Sequence, residues 1–406
     1  MGWQREYQPP GIAIETSTRS LRIGVVCDFL EERWHSMDLI AHMLLTSLQQ
    51  YTDTPMSPAG VRPPMRPRFS MLPVLGAGRI ARNADRLINR FADYPRYLRS
   101  QVGRFDLFHI VDHSYAHLVH TLPPQRTVVT CHDLDTFRCV LDPARDRRSQ
   151  LFRAMTHRIL DGLQRAARVV CVSRATRDEL LAYGLVSTDR LHVVHNCVHP
   201  AYSRDEDPAG RAVIDSLLGS PKPEHPELLH VGSAIPRKRI DVLLRVFAEI
   251  RNSNRRVRLI HVGGPFTPSQ QELAGRLGLA ADDLIVTPTL DVSALAAIYR
   301  RAALLLLPSE REGFGFPVAE SMACGTPVLA SDIPALREAG GAAGAYCPVA
   351  DCAAWSQVVI GLLEERACRP EHWEARRQRC TAQALQFSPA SYAKAMVGIY
   401  NQLDTN

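Results

Sequence analysis

Short apolar, β-branched runs recur along the chain, and segments with helical periodicity separate most of them. In the first half these runs are "LRIGVVCD" at 21–28, "DLFHIVD" at 106–112, "TVVTCHD" at 127–133, "RVVCVS" at 168–173 and "LHVVHN" at 191–196. Continuous apolar runs suit strands buried on both faces, and the helical segments between them imply parallel crossovers. This pattern predicts one α/β domain over residues 1–205. A polar, proline-rich stretch, "SRDEDPAG" and then "GSPKPEHPE", has too few apolar residues to pack, and it breaks the rhythm. The alternation resumes with "ELLHVGS", "VRLIHVGG", "LIVTPTL", "ALLLLPS", "PVLASD" and "GAYCPV", which predicts a second α/β domain over 206–385. The amphipathic segment "FSPASYAKAMVGIYNQL" then gives a terminal helix within 386–406. The expected fold is α/β, with two doubly wound, Rossmann-like domains facing a central cleft.

Composition fits this picture. Of the 406 residues, 46% are hydrophobic and 22% charged, which suits folded domains rather than a disordered chain. The ten cysteines are scattered without a CxxC pair, and several lie inside apolar runs, so they read as small buried hydrophobes in a reducing compartment. No segment has the order of a signal peptide, and the aliphatic run "AALLLLP" is far shorter than the roughly 20 residues needed to span a bilayer. The expectation is a cytoplasmic protein. A net charge of +6 is modest and argues against a general nucleic-acid binder. Ten arginines nevertheless lie between Arg62 and Arg104 against only Asp85 and Asp93, with Ile80, Leu87, Ile88 and Phe91 among them. That stretch reads either as a peripheral dock on an anionic membrane surface or as a solvated helix face.

In open parallel sheets, ligands bind beyond the carboxyl ends of the strands, so the chemistry is sought just after each run. The strongest signal is "LLLLPSEREGFGFPVAESMACGTPVLASD". Its strand ends at Leu307, a loop carries Glu310, Glu312, Gly313 and Gly315, Pro317 opens a short helix, and Gly325 closes it. Glycines let backbone approach a ligand, and free N–H groups at a helix start suit phosphate. Glu312 and Glu320 flank that start, where carboxylates accept hydrogen bonds from hydroxyls or simply complement the helix dipole.

This segment resembles the Glu-x7-Glu signature of glycosyltransferase family 4, here Glu312-GFGFPVA-Glu320, and the resemblance extends over nearly the whole chain. It implies a metal-independent, retaining GT-B enzyme that moves a mannose-like or glucose-like hexose from a GDP- or UDP-sugar to a glycan, lipid-linked or small-molecule acceptor. The nucleotide sugar is then a substrate, and no separate cofactor is required. By the same resemblance Glu312 lies against the transferred sugar and Glu320 binds the ribose. The backbone of Gly313, Phe314, Gly315 and Phe316 would lie near phosphate and sugar. The terminal helix would cross back onto the first domain. Related activities remain open at this point: an inverting transferase, a sugar-nucleotide epimerase, or a noncatalytic GT-B scaffold.

A second segment, "LLHVGSAIPRKRIDVLLRVFAEI", places Arg237 and Lys238 at a helix start, which is unfavourable for cations unless an anion lies nearby. A donor diphosphate would be that anion. Relatives carry an arginine where this chain has Ser233, so Arg237 is the nearest replacement in sequence. In "VVTCHDLDTF", His132 follows a strand, and the resemblance gives it a sugar-contacting or positioning role. On the acceptor side, "CDFLEERWHSMDLI" has no glycine-rich turn and instead groups Asp28, Glu32, Trp34, Ser36 and Asp38, with His113 after another strand. No metal site is expected, because His109, His113 and His117 fit neither a helical zinc motif nor a DxD loop.

Overall fold

The computed structural model describes residues 20–404 apart from 52, 54, 72–77, 223, 254, 255 and 281. The first domain holds a six-stranded sheet of β1 (Leu21–Val26), β2 (Met56–Val61), β3 (Leu107–Ile110), β4 (Thr127–Cys131), β5 (Arg168–Cys171) and β6 (Leu191–Val193). Its order is β2-β1-β3-β4-β5-β6. The second holds β7 (Glu227–Val231), β8 (Arg258–Val262), β9 (Leu284–Thr287), β10 (Leu304–Leu307), β11 (Val328–Ser331) and β12 (Ala345–Cys347), in the order β12-β11-β10-β7-β8-β9. Every strand pair is parallel. The interior strands β3, β4, β10 and β11 are buried at every position, as helices on both faces require.

Eleven of the twelve strands lie on the predicted runs. The exception is β2, "MSPAGV", which contains Pro58 and Gly60 and is mostly exposed. It survives as an edge strand because only β1 pairs with it, through Ile23 opposite Pro58, and proline is tolerated where one side needs no ladder hydrogen bond. Hydrophobic pattern carries no signal for such a strand.

The domains are joined twice, by the segment after β6 and by the return near Phe387, whose carbonyl accepts the Val198 N–H at 2.8 Å. The helix Pro389–Asp404 then lies on the first sheet and buries Tyr392, Met396 and Tyr400 with Leu21, Ile23, Leu44 and Leu48. The Tyr400 hydroxyl reaches His109 Nδ1 at 2.5 Å, and His109 Nε2 lies 2.7 Å from Thr130 Oγ1. Full burial pushes His109 down to about 3, so this histidine is neutral and structural. All ten cysteines are free, and eight are buried.

Candidate active site

Each sheet has one point where the strand order reverses, between β7 and β10 in the second domain and between β1 and β3 in the first. Crevices open there, beyond the carboxyl ends of the strands. Arg237 and Lys238 follow β7 and Glu312 follows β10 at the second-domain point, and Asp28 follows β1 at the first-domain point.

In the second domain, the helix Phe316–Ala323 starts after Gly315, which adopts φ +98°, a conformation open to glycine at little cost. Pro317 sits in its first turn. Glu312 lies in the loop before it, with only 7% of its side chain exposed. Lys238 Nζ donates to Glu312 Oε1 at 2.5 Å, and Arg237 Nη1 donates to Oε2 at 2.9 Å. Burial alone would raise this carboxyl, but Lys238 and Arg237 outweigh it and hold it below the usual glutamate range. Arg237 Nη1 also donates to the Arg311 carbonyl at 2.9 Å, and the Glu310 N–H donates to the Arg237 carbonyl at 2.9 Å. These bonds tie the loop after β7 to the loop after β10.

Arg237 and Lys238 occupy a short turn, Pro236–Lys238, just ahead of the helix Ile240–Asn252, which buries Ile240, Leu243, Leu244, Phe247 and Ile250. Ser233 is exposed in the same loop. Glu320 is 6% exposed, and its Oε2 accepts from the Tyr299 hydroxyl at 2.8 Å. Burial pushes Glu320 up to about 7 despite that bond. Phe314 is buried against Phe316 and Phe387, so its side chain is a packing anchor.

In the first domain, Asp28 follows β1 and Asp112 follows β3, and both are buried. Neither Asp28 oxygen has a hydrogen-bond partner among the described residues. Burial, reinforced by Asp112, raises Asp28 to about 10. Asp112 stays below its usual range: burial opposes its charge, but His113, His132 and two bonds from Ser114, at 2.9 and 2.5 Å, prevail. Asp28 therefore carries a proton at neutral pH beside an ionised Asp112.

His132 is fixed by a 2.7 Å bond from Nε2 to the Val111 carbonyl, so Nε2 donates and the neutral ring keeps its lone pair on Nδ1. The His132 N–H donates to His113 Nδ1 at 3.2 Å, which leaves His113 Nε2 to donate to Thr136 Oγ1 at 3.2 Å. Glu32 is enclosed: it accepts from Arg86 Nε at 3.1 Å and from the Tyr115 hydroxyl at 2.9 Å. Asp38 is paired with Arg62 at 2.7 Å, Ser36 is exposed, and Trp34 stands 52% exposed at the start of the helix His35–Gln49.

The two crevices meet. A Cβ on Gly313 would lie 1.8 Å from the His132 carbonyl oxygen, so only glycine lets the domains touch here. Asp135 of the first domain sits 3.3 Å from both Arg237 Nε and Arg311 Nη1 of the second. Glu338 of the second domain accepts the Arg174 N–H at 2.8 Å and lies 2.6 Å from His195 Nε2. A cavity of about 240 Å³ remains in the cleft, lined by Asp133, Asp135, Arg237, Glu310 and Glu312 among others. Tyr299, Asp112, Tyr115 and Asp135 were not singled out in the sequence. Asp112 and Asp135 lie inside the quoted segments, but the contacts of all four residues arise only through folding.

The basic stretch is less free than its composition implies. Arg68 and Arg96 pair with Asp93, Arg62 and Arg86 with acids from outside the stretch, and Arg90 lies 4.0 Å over the Tyr115 ring. Arg66, Arg79 and Arg99 remain exposed, as do Met71 and Ile80. Residues 72–77 of this stretch lie outside the described residues. Among the described residues, no helix is long and apolar enough to cross a membrane, and no group of three or more His, Cys, Asp or Glu side chains could hold a metal ion.

Two doubly wound domains with facing switch-point crevices define the GT-B class. Residues 25–202 match the family model described as Glycosyltransferase Family 4, and residues 225–365 match Glycosyl transferases group 1. One match lies in each domain, and together with the fold they support a GT-B glycosyltransferase of family 4. A D-inositol 3-phosphate glycosyltransferase of Nocardia farcinica is 33% identical over 204 residues, which is 48% of this chain and 44% of that protein. The serotype-specific mannosyltransferase WbdA of Escherichia coli is 26% identical over 284 residues, 69% of this chain and 34% of that protein. The chain thus spans less than half the length of either relative. Among solved structures, Anabaena HepE in complex with UDP and glucose has a TM-score of 0.69 at 14% identity, covering 94% of this chain and 99% of that one. At that identity the likeness shows the fold.

Proposed function

We propose that this protein is a retaining, metal-independent hexosyltransferase that uses a nucleotide sugar. The observation that carries the reading is the pairing of an ionised Glu312 with Lys238 and Arg237, at the switch point beside the helix start near Pro317. Donors aimed at an oxyanion in a closed cleft are the largest aid to departure of a phosphate leaving group. In this account Lys238 and Arg237 face the diphosphate, Glu312 orients sugar hydroxyls, and Glu320 accepts from the ribose. The bond from the anomeric carbon to the phosphate oxygen breaks as a bond to the acceptor oxygen forms on the same face. The acceptor proton passes to the departing phosphate, and His132 holds the reacting centre. The HepE complex with UDP and glucose favours a UDP-sugar as one probe, and the name of WbdA, a mannosyltransferase, favours a mannose donor such as GDP-mannose as another.

The acceptor, a glycan, lipid-linked or small hydroxyl compound, would enter past Trp34 and meet Asp28 and Asp112. If it is lipid-linked, exposed Ile80, Met71, Arg66 and Arg79 would meet the membrane surface at the inner leaflet. Co-sedimentation with anionic vesicles that weakens as salt rises would support that contact, and no sedimentation at low salt would exclude it. The transfer reaction is tested by following UDP-glucose and GDP-mannose consumption in the presence of EDTA and reading the product anomer by NMR. Retention is expected. Inversion, or dependence on added metal, would defeat the mechanism.

A further inference from the structure

We propose, on the glycosyl-transfer reading above, that Asp135 is a positioning residue that sets Arg237 toward the donor only when the two domains close. Asp135 lies in the loop that carries His132, three positions further on, and its own N–H is pinned to Asp133 Oδ1 at 2.9 Å. From there its carboxylate crosses the cleft and lies 3.3 Å from Arg237 Nε and 3.3 Å from Arg311 Nη1.

Arg237 is a planar fork of five donors, and what it can do depends on which edge is occupied. Nη1 is taken by Glu312 Oε2 and the Arg311 carbonyl, and Nε faces Asp135. The Nη2 edge makes no hydrogen bond or ion pair to the described residues, which leaves it for a phosphate oxygen. Glu312 and Asp135 grip the guanidinium from two sides, one from each domain. With the cleft open, Asp135 withdraws, Nε loses its partner, and the fork is free to swing about its long stem. The donor site is therefore electrostatically complete only in the closed state, which ties leaving-group stabilisation to the exclusion of water.

A partly exposed ion pair of this kind adds little to holding the domains together. Its effect lies in orientation, as for outer-shell partners that aim a first-shell group.

The test compares wild type, Asp135→Asn, Arg237→Ala and the double variant, using UDP and GDP for binding by calorimetry and UDP-glucose and GDP-mannose for turnover. Asp135 is 35% exposed at its side chain, so Asp135→Asn should keep the wild-type melting temperature. The expected result is a fall in kcat of roughly tenfold or more, the range typical of outer-shell partners, with nucleotide Kd changed less than about twofold. Adding Asp135→Asn to Arg237→Ala should cause no further loss. An active wild type whose kcat is unaffected by Asp135→Asn, or losses that multiply in the double variant, would overturn the assignment alone. A wild type inert toward both donors and blind to both nucleotides would overturn the functional reading beneath it.

Discussion

The two crevices answer the same problem, a buried carboxyl at a switch point, in opposite ways. In the second domain Glu312 is compensated by two cations and stays ionised, whereas in the first Asp28 has no cation within bonding reach and takes up a proton. Charge and counter-charge are preorganised where a diphosphate would bind. A neutral carboxyl stands where hydroxyls would. The difference shows how burial forces a choice between pairing and neutralisation.

The largest effect should follow from breaking the compensated side. Glu312→Gln leaves Lys238 and Arg237 without their counter-charge and removes the sugar-orienting carboxylate. Turnover should fall about a hundredfold to a thousandfold, as for loss of a preorganised charge-stabilising group. Stability should drop by ~3 kcal/mol, at the low end for a broken buried pair because Arg237 is partly exposed. Because the folded-state Glu312 value is depressed, the wild-type advantage is present above the ordinary glutamate range and is lost as pH falls through the folded value. Denaturation midpoints of the two proteins should converge in acid. If they stay parallel, the pairing is not what holds the charge.

A smaller effect separates Glu320 from Glu312. Burial raises Glu320 to about 7, so its proton is bound in the folded state and lost from the unfolded state in mildly acidic solution. That contribution favours folding in acid and fades as pH rises through about 7. Glu320→Gln should therefore stabilise the unliganded protein increasingly as pH rises from the ordinary glutamate range to about 7 and level off above it, while weakening UDP or GDP binding. Nucleotide binding to wild type should tighten from pH 6 to pH 8, about a unit either side of that value, and the variant should lose this dependence. Calorimetry at the two pH values checks it, and a flat profile in wild type would separate Glu320 from the nucleotide.

The smallest effect is expected on the neutral side. Asp28 is already protonated, so Asp28→Asn is close to isosteric and isoelectronic at neutral pH. With the folded value raised to about 10, wild type loses stability as pH rises between the unfolded and folded values, and the variant does not. The melting-temperature difference should favour the variant and widen from pH 5 to pH 9, values that lie within that window. Nucleotide binding should stay unchanged. A variant less stable at every pH would mean that Asp28 is ionised and partnered.

Legibility in the sequence followed the same division. The second-domain crevice rests on contiguous stretches, so Glu312, Glu320, Arg237 and Lys238 could be found from a strand, a glycine-rich loop and a helix start. Tyr299 beneath Glu320 could not, since only the packing of the helix Val292–Arg301 against Phe316–Ala323 brings them together. The first-domain crevice is assembled from the ends of β1, β3 and β4. Asp28 and His113 were visible as polar residues after strands, but the proton held by Asp28 depends on burial beside Asp112, which no local pattern encodes. Glu32 and Asp38 carried the right chemistry for hydroxyl recognition, and folding engages them with Arg86, Tyr115 and Arg62. The edge strand β2 was invisible because its proline and its exposure erase the apolar signal.

The central claim is that the charged crevice of the second domain receives a nucleotide sugar and activates its leaving group. It is tested most directly by measuring nucleoside diphosphate release from UDP-glucose and GDP-mannose by wild type, Glu312→Gln and Lys238→Ala, alongside binding of the free nucleotides. The account predicts release by wild type with at least one donor, a loss of about a hundredfold or more in both variants, and nucleotide binding that survives Glu312→Gln. Nucleotide binding and release that are indifferent to both substitutions would contradict it.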